Sequence, residues 1–377
     1  MKNILKTIIL LPMLTTSLVN GQNINYIYIK DIPKKANYID DFKKTSDKVN
    51  ENYTHLEAKN IDGVSLQANY FEFVKNAKSN LEYGKILISY FAALKNSHTN
   101  VIFNKYYKKC TASLIENRVF FSYIGDSVLI KNGVKEKDEI IKIDHIPVLS
   151  YIQNQAKYIP ASTEIHRTYL AVSDLFSSYF EEDRIYTIKT LSGEKEITLH
   201  FGDKPIQPEN ESTQAIKKIE SSVLMDSVGY ISLLSMTGNV VDEFIKAFDT
   251  LSQKHFLIID LRRNQGGNSG YSEKIAEYLI LKKQKASVSN RWLSPKDNHF
   301  TGKLFVLTSA YTASAAESFA LDLLESGNVT LIGMPTAGDT GNQPQFYSSQ
   351  LGYSYWFPSR NKAQISPKGF PMEGESI

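Results

Sequence analysis

Between residues 36 and 96 apolar side chains recur mostly at spacings of three and four, with Phe71, Val74, Leu81, Ile86, Leu87, Tyr90, Phe91 and Leu94 set among polar neighbours. That period predicts a helical region. It stops at NSHTN, residues 96–100, where VIF opens a strand, so His98 falls at a helix-to-strand junction. From residue 119 to 199 the pattern shortens to VFFSYI, SVLI, DEIIKI and YTIKTLSGEKEITL, which predict short strands, the last a hairpin turning at Ser192-Gly193. A helical insertion over 149–180 interrupts them. Residues 202–220 are polar, carry two prolines and read as a linker. Beyond it, SVGYISLL, HFLIIDL, KLFVLTS and VTLIG predict apolar strands, separated by helical stretches that include 242–251 and 271–282. Apolar strands alternating with helices predict an α/β layer around a largely buried sheet. The Tyr-, Ser- and Gln-rich stretch that follows predicts antiparallel edge strands. The fold class expected is therefore α/β (α+β, multidomain), with a helical region over 22–104, a β-rich module with a helical insertion over 105–203, and an α/β domain over 204–377.

Composition alters this picture little. The 377 residues suffice for two or three domains, and 42% hydrophobic with 22% charged residues is the balance of an ordinary globular chain. The formal charge is +3; Lys2 and Lys6 supply two of those charges, so a chain cut after Gly21 carries +1. No basic cluster is interleaved with aromatics, which argues against a nucleic-acid partner. MKNILKTIILLPMLTTSLVNGQ has the order of a secretory leader, lysines before an apolar run at 8–14 and then small and polar residues. That run is too short to span a bilayer. Export to the periplasm, cell surface or medium is the expectation. Cys110 is the single cysteine, which excludes an intramolecular disulfide. The seven histidines are scattered and none forms HExxH, so neither a metal nor another cofactor is expected.

Two stretches carry candidate chemistry. In GKLFVLTSAYTASAAESFALDLLESG, residues 302–327, an apolar strand leads through a turn to a helix that begins at Ser314. A hydroxyl there faces the free N–H groups of a helix start, which would stabilise a nascent anion. On this stretch alone the simpler reading is that Ser314 is an N-cap, since serine is favoured in that role. In LIIDLRRNQGGNSG, residues 257–270, a strand runs into Gly266-Gly267. Adjacent glycines let backbone N–H groups approach a ligand, or simply make a tight turn. The loop lacks both GxGxxG and GxxxxGK[ST], which disfavours phosphate binding, and Ser314 is not in GxSxG.

DLRRNQGG, TASAAES and LIGMPTAGDTG, in that order, resemble the C-terminal-processing (tail-specific) serine peptidase superfamily, which includes the tricorn core peptidases and interphotoreceptor retinoid-binding proteins. SHTN at 97–100 is similar to its D-x-H-T segment. GVKEKDEIIKIDHIPV, residues 133–148, resembles a PDZ segment with Asp144-His145 in place of the usual Asn-Gly turn. The resemblance implies a PDZ-like module followed by a catalytic domain similar to the crotonase-like (ClpP/crotonase) fold, acting on protein or peptide substrates. It implies Ser314 as nucleophile, with an oxyanion hole from the N–H groups of Ala315 and of a glycine of the Gly266-Gly267 pair. One branch of the family uses a lysine in G-E-P-T-x-G-K-G. This chain has GMPTAGDTG, with Asp339 at that position, while Lys362 and Lys368 lie outside the motif. The tricorn-like branch, with a histidine base, fits better. It implies His98 as base with Ser97 beside it, and Glu373 of GFPMEGESI as the supporting carboxylate, ahead of Glu375. The alternative expectation is a non-catalytic binder of a peptide or apolar ligand on the same fold.

Overall fold

Five strands organise the C-terminal half of the computed structural model, which describes residues 24–33, 36–202, 217–339, 344–360, 365–371 and 373–377. Their order is Ile219–Met225, Val228–Leu233, Phe256–Asp260, Lys303–Thr308 and Val329–Gly333; the first pair is antiparallel and the rest are parallel. Parallel neighbours need crossover connections. Helices Val240–Leu251, Ser269–Ala276 and Ala315–Ser326 supply them. Ile231, Leu257, Ile259, Leu304 and Val306 of the strands enclose one core with Phe244, Phe248, Phe319 and Leu323 of the helices. Each such side chain contributes roughly 1.5–3 kcal/mol by leaving water. The expected leader and most of the expected linker lie outside the described residues.

The β-rich module pairs Cys110–Ile115, Arg118–Ile124, Glu139–Ile143, Glu182–Thr190 and Gly193–Phe201 in that order, all antiparallel, over a second core that includes Val119, Phe121, Ile140, Tyr186 and Ile188. Asp144 and His145 both have positive φ, 50° and 63°, and Ile143 pairs with Ile146. This is a two-residue hairpin of the primed type, so the pair does make the turn in which Asn-Gly is usual. The last hairpin turns one residue earlier than the sequence suggested, since Thr190 pairs with Gly193. SVLI is not a strand. Asp126 accepts hydrogen bonds from Val128 and Leu129 N–H at 2.9 and 3.3 Å and starts the short helix Ser127–Lys131 instead. A four-residue apolar run has no period of its own, and the cap decides. The insertion forms two helices, Val148–Gln155 and Glu164–Ser173.

Helices Tyr38–Asn52, Gly63–Lys75 and Asn80–Ala92 begin at Asn37, Asp62 and Ser79, each side chain accepting from N–H groups of the first turn. They share a third core with Tyr353, Tyr355 and Phe357 from the far end of the chain. Strand Ser354–Pro358 pairs antiparallel with both Asn100–Ile102 and Pro344–Ser348. Asp41 Oδ2 accepts from the Tyr83 and Tyr353 hydroxyls, both at 2.6 Å. Residues 344–358, which the sequence pattern groups with the α/β domain, thus close onto the N-terminal helices. That closure ties the turn before Asn100, where His98 sits, to chain that follows Ser314. Among the described residues no helix is long and apolar enough to cross a membrane.

Candidate active site

Ser314 joins strand Lys303–Thr308 to helix Ala315–Ser326 with φ 54° and ψ −126°. For a residue with a Cβ such a conformation costs on the order of 1–3 kcal/mol and persists only where surroundings enforce it. Here Ser314 N–H donates to Asp339 O at 2.7 Å, and Ser314 O accepts from Glu317 and Ser318 N–H at 2.9 and 3.1 Å. The N-cap reading of Ser314 fails on geometry: its side chain makes no capping hydrogen bond. Ser314 itself is half-buried.

The glycine loop presses on this serine. A Cβ at Gly266 would lie 2.7 Å from Ser314 Cβ and 2.9 Å from Ala315 N, so glycine is required for the approach. Buried Asn264 organises the loop, its Oδ1 accepting Gly266 N–H at 2.8 Å and its carbonyl accepting Ala313 N–H at 3.2 Å. Met236 N–H donates to Gly266 O at 2.9 Å and Met236 O accepts from Asn268 N–H at 2.8 Å, a parallel bridge to Gly267. In that pattern the middle residue's own N–H faces away from its partner. The two glycines therefore differ. Gly266 N–H is occupied by Asn264, whereas Gly267 N–H and Ala315 N–H have no acceptor among the described residues.

His98 follows the helix Asn80–Ala92. Asn96 Oδ1 accepts His98 N–H at 2.6 Å, and Thr99 Oγ1 donates to Phe91 O and Asn96 O, which locks the turn. His98 Nδ1 bonds Asp339 Oδ1 at 2.9 Å. A buried carboxylate accepts, so Nδ1 carries the proton and Nε2 is the basic nitrogen. Asp339 thereby touches both halves of the site, its carboxylate on His98 and its carbonyl on Ser314 N–H. Burial pulls the His98 imidazolium down, but the Asp339 charge and hydrogen bond outweigh it and push His98 up to about 9. Burial pushes Asp339 up, and the His98 charge and hydrogen bond reverse this and hold it down at about 2.

The carboxylate on the histidine is thus Asp339, not Glu373. Glu373 lies beside it, joined through an antiparallel bridge between the two backbones. Its Oε1 is paired with buried Lys59 and accepts from Ser162 Oγ at 2.6 Å. A lysine that is itself desolvated needs that countercharge, which leaves Asp339 for the imidazole. Glu375 is exposed, and Ser97 Oγ is buried with no hydrogen-bond partner among the described residues. Two further buried histidines flank the site. Burial pulls His55 and His166 down to about 4, so both stay neutral near pH 7. Sequence reasoning placed Asp339 in its motif but weighed it only as a failed lysine. The signal was present, because an acid at that position beside a histidine-type site is itself a candidate partner.

A half-buried serine in a strained strand-to-helix turn, under free backbone N–H groups and near a histidine–aspartate pair, on a helix-covered sheet, defines a serine-hydrolase type of site. Residues 227–361 match the family described as Peptidase family S41, and residues 114–201, within the β-rich module, match the S41 N-terminal domain described for Bacteroidetes peptidases. The chain belongs to the S41, or C-terminal-processing, superfamily of serine peptidases. It is 29% identical over 128 residues to the carboxy-terminal processing protease CtpB of Bacillus subtilis, which is 32% of this chain and 27% of that one. It is 30% identical over 135 residues to CtpA of the same organism, 33% and 29% of the two chains. The matched region thus spans less than a third of either relative. In fold, the structure is similar to mature CPAF complexed with lactacystin, with a TM-score of 0.73 over 90% of this chain and 92% of that one at 14% identity. It is also similar to the photosystem II D1 C-terminal processing protease, with a TM-score of 0.51 over 91% and 92% at 16% identity.

Proposed function

We propose that the protein is an exported serine endopeptidase that hydrolyses protein or peptide chains through an acyl-enzyme. The observation that supports this reading is the pair of hydrogen bonds at Asp339, to His98 Nδ1 through its carboxylate and from Ser314 N–H through its carbonyl, which link two residues 216 positions apart in the chain. His98 Nε2 takes the Ser314 proton as the hydroxyl oxygen attacks the substrate carbonyl carbon. The oxyanion is held by Ala315 N–H and Gly267 N–H, the two donors left free, while Gly266 shapes the approach and is not itself a donor. His98 then protonates the leaving amine, and water resolves the ester with His98 again as base. Asp339 fixes the tautomer and stabilises the imidazolium. The β-rich module, read as PDZ-like, presents a substrate segment by strand addition. The leader-like N-terminus supports export.

A fluorophosphonate probe, which requires an activated serine, is expected to modify Ser314 in the wild type and to leave His98→Gln unmodified. No adduct on the wild type would overturn the peptidase reading and favour a ligand-binding protein on this fold. The pH dependence follows from the imidazole. A histidine held up to about 9 is mostly charged at pH 7 in the free enzyme and cannot accept a proton. Peptide kcat/KM is therefore expected to rise with pH, to be half-maximal near pH 9 rather than near the ordinary value of about 6.5, and to level off above that. A profile already flat from pH 7 upward would contradict the His98–Asp339 assignment.

A further inference from the structure

We propose that Glu317 is a positioning residue, which clamps the Asp339 loop to the helix that carries the nucleophile and so sets the register between Ser314 and the His98–Asp339 pair. The proposal rests on the reading of those three residues as the reacting set. Glu317 is fully buried in the first turn of the helix Ala315–Ser326. Helical side chains lean toward the helix N-terminus, so its carboxylate lies back under Ser314. Both oxygens are used. Oε1 accepts from Thr336 Oγ1 at 2.5 Å and Gly338 N–H at 2.7 Å, and Oε2 accepts from Asp339 N–H at 2.8 Å. Thr336 Oγ1 accepts from Ile377 N–H at 2.8 Å, which leaves its own proton for Glu317.

Two of the three donors are backbone N–H groups, which cannot reverse direction, and the third is committed. Only a group with two accepting oxygens satisfies all of them, so carboxylate chemistry is specified at this position. The placement is unfavourable in isolation. Burial pushes the Glu317 carboxyl up to about 8 and the Asp339 charge adds to it, with Thr336 and the two N–H groups pulling back. A residue serving only to fill the core would be apolar there. What the clamp achieves is geometric, because the donors belong to residues 336, 338 and 339, the segment whose far end holds the imidazole. Three further links fix the same segment: Ala337 N–H to Thr312 O at 2.9 Å, Ala337 O accepting from Thr163 Oγ1 at 2.8 Å, and Asp339 O accepting Ser314 N–H. Of all these links, only Glu317 holds Asp339 through a side chain of the nucleophile's own helix.

The test reads geometry and turnover separately. Glu317→Gln offers one oxygen and an NH2 group to the two N–H donors of Gly338 and Asp339, so at least one bond is lost. Its kcat on a peptide substrate is expected to fall about 100-fold with KM within a few-fold of wild type, as a misplacement near 1 Å produces. In proton NMR, the downfield Nδ1–H resonance of His98, assigned by its absence in His98→Gln, is expected to shift or vanish. Thr336→Val, which removes one bond of the clamp and no charge, is expected to give a smaller loss in the same direction and serves if Glu317→Gln does not fold. An unchanged resonance and unchanged kcat in a folded variant would overturn the proposal. If wild type cleaves nothing yet shows a resonance that Glu317→Gln abolishes, the clamp stands and only the peptidase reading fails.

Discussion

Ser314→Ala is expected to abolish turnover of an unstructured protein substrate, by a factor on the order of 10⁶ where binding and the oxyanion donors are intact. The melting temperature should stay close to that of wild type. The side-chain oxygen makes no capping bond and alanine meets the same backbone cost at φ 54°, so nothing that stabilises the fold is removed. Loss of turnover with a retained melting transition is the outcome that matters. A variant that cleaves at the wild-type rate would remove Ser314 from the chemistry, and the oxyanion assignment of Gly267 and Ala315 would go with it.

The two buried acids beside the site should separate cleanly. Asp339→Asn is nearly isosteric but presents an amide to the imidazole, so the tautomer that puts a lone pair on Nε2 is no longer enforced. A loss of about 10⁴ in kcat is expected, the scale seen when a buried aspartate behind a catalytic histidine is made neutral. Glu373→Gln acts elsewhere. It leaves Lys59 buried without its countercharge, and breaking one side of a buried pair costs on the order of 3–5 kcal/mol. Its signature is therefore a depressed melting temperature, with residual kcat in the folded fraction well above that of Asp339→Asn. Steady-state kinetics and thermal denaturation of the two purified variants decide the matter. An active Asp339→Asn beside a folded, inactive Glu373→Gln would restore Glu373 to the histidine.

Much of the architecture is legible without coordinates because it rests on local periods. The spacing of Leu87, Tyr90 and Phe91 is helical, and the apolar runs at 257–259 and 304–307 are strands, as the order of elements along the chain implies. SVLI fails for the same reason that the others succeed, since a run too short to have a period is governed by its neighbour Asp126. The packing partner of residues 353–357 is hidden more deeply. Tyr353, Tyr355 and Phe357 alternate as any half-buried strand does, and nothing local says that their apolar face meets Phe91 and the N-terminal helices.

What the chain determines by itself, then, is the set of local devices: a serine at a strand-to-helix turn, a glycine pair after a strand, a histidine at a helix end. Each is written in contiguous residues whose backbone preferences act over a few positions. Which acid serves the histidine is different. The resemblance points to Glu373 and puts Asp339 only at the position of a family lysine, yet Lys59, from far upstream in the chain, is buried against Glu373, and it is Asp339 that meets the imidazole. That is a desolvation contest among groups gathered from distant segments, and only the folded chain brings them within a few ångströms, where charge outweighs sequence pattern.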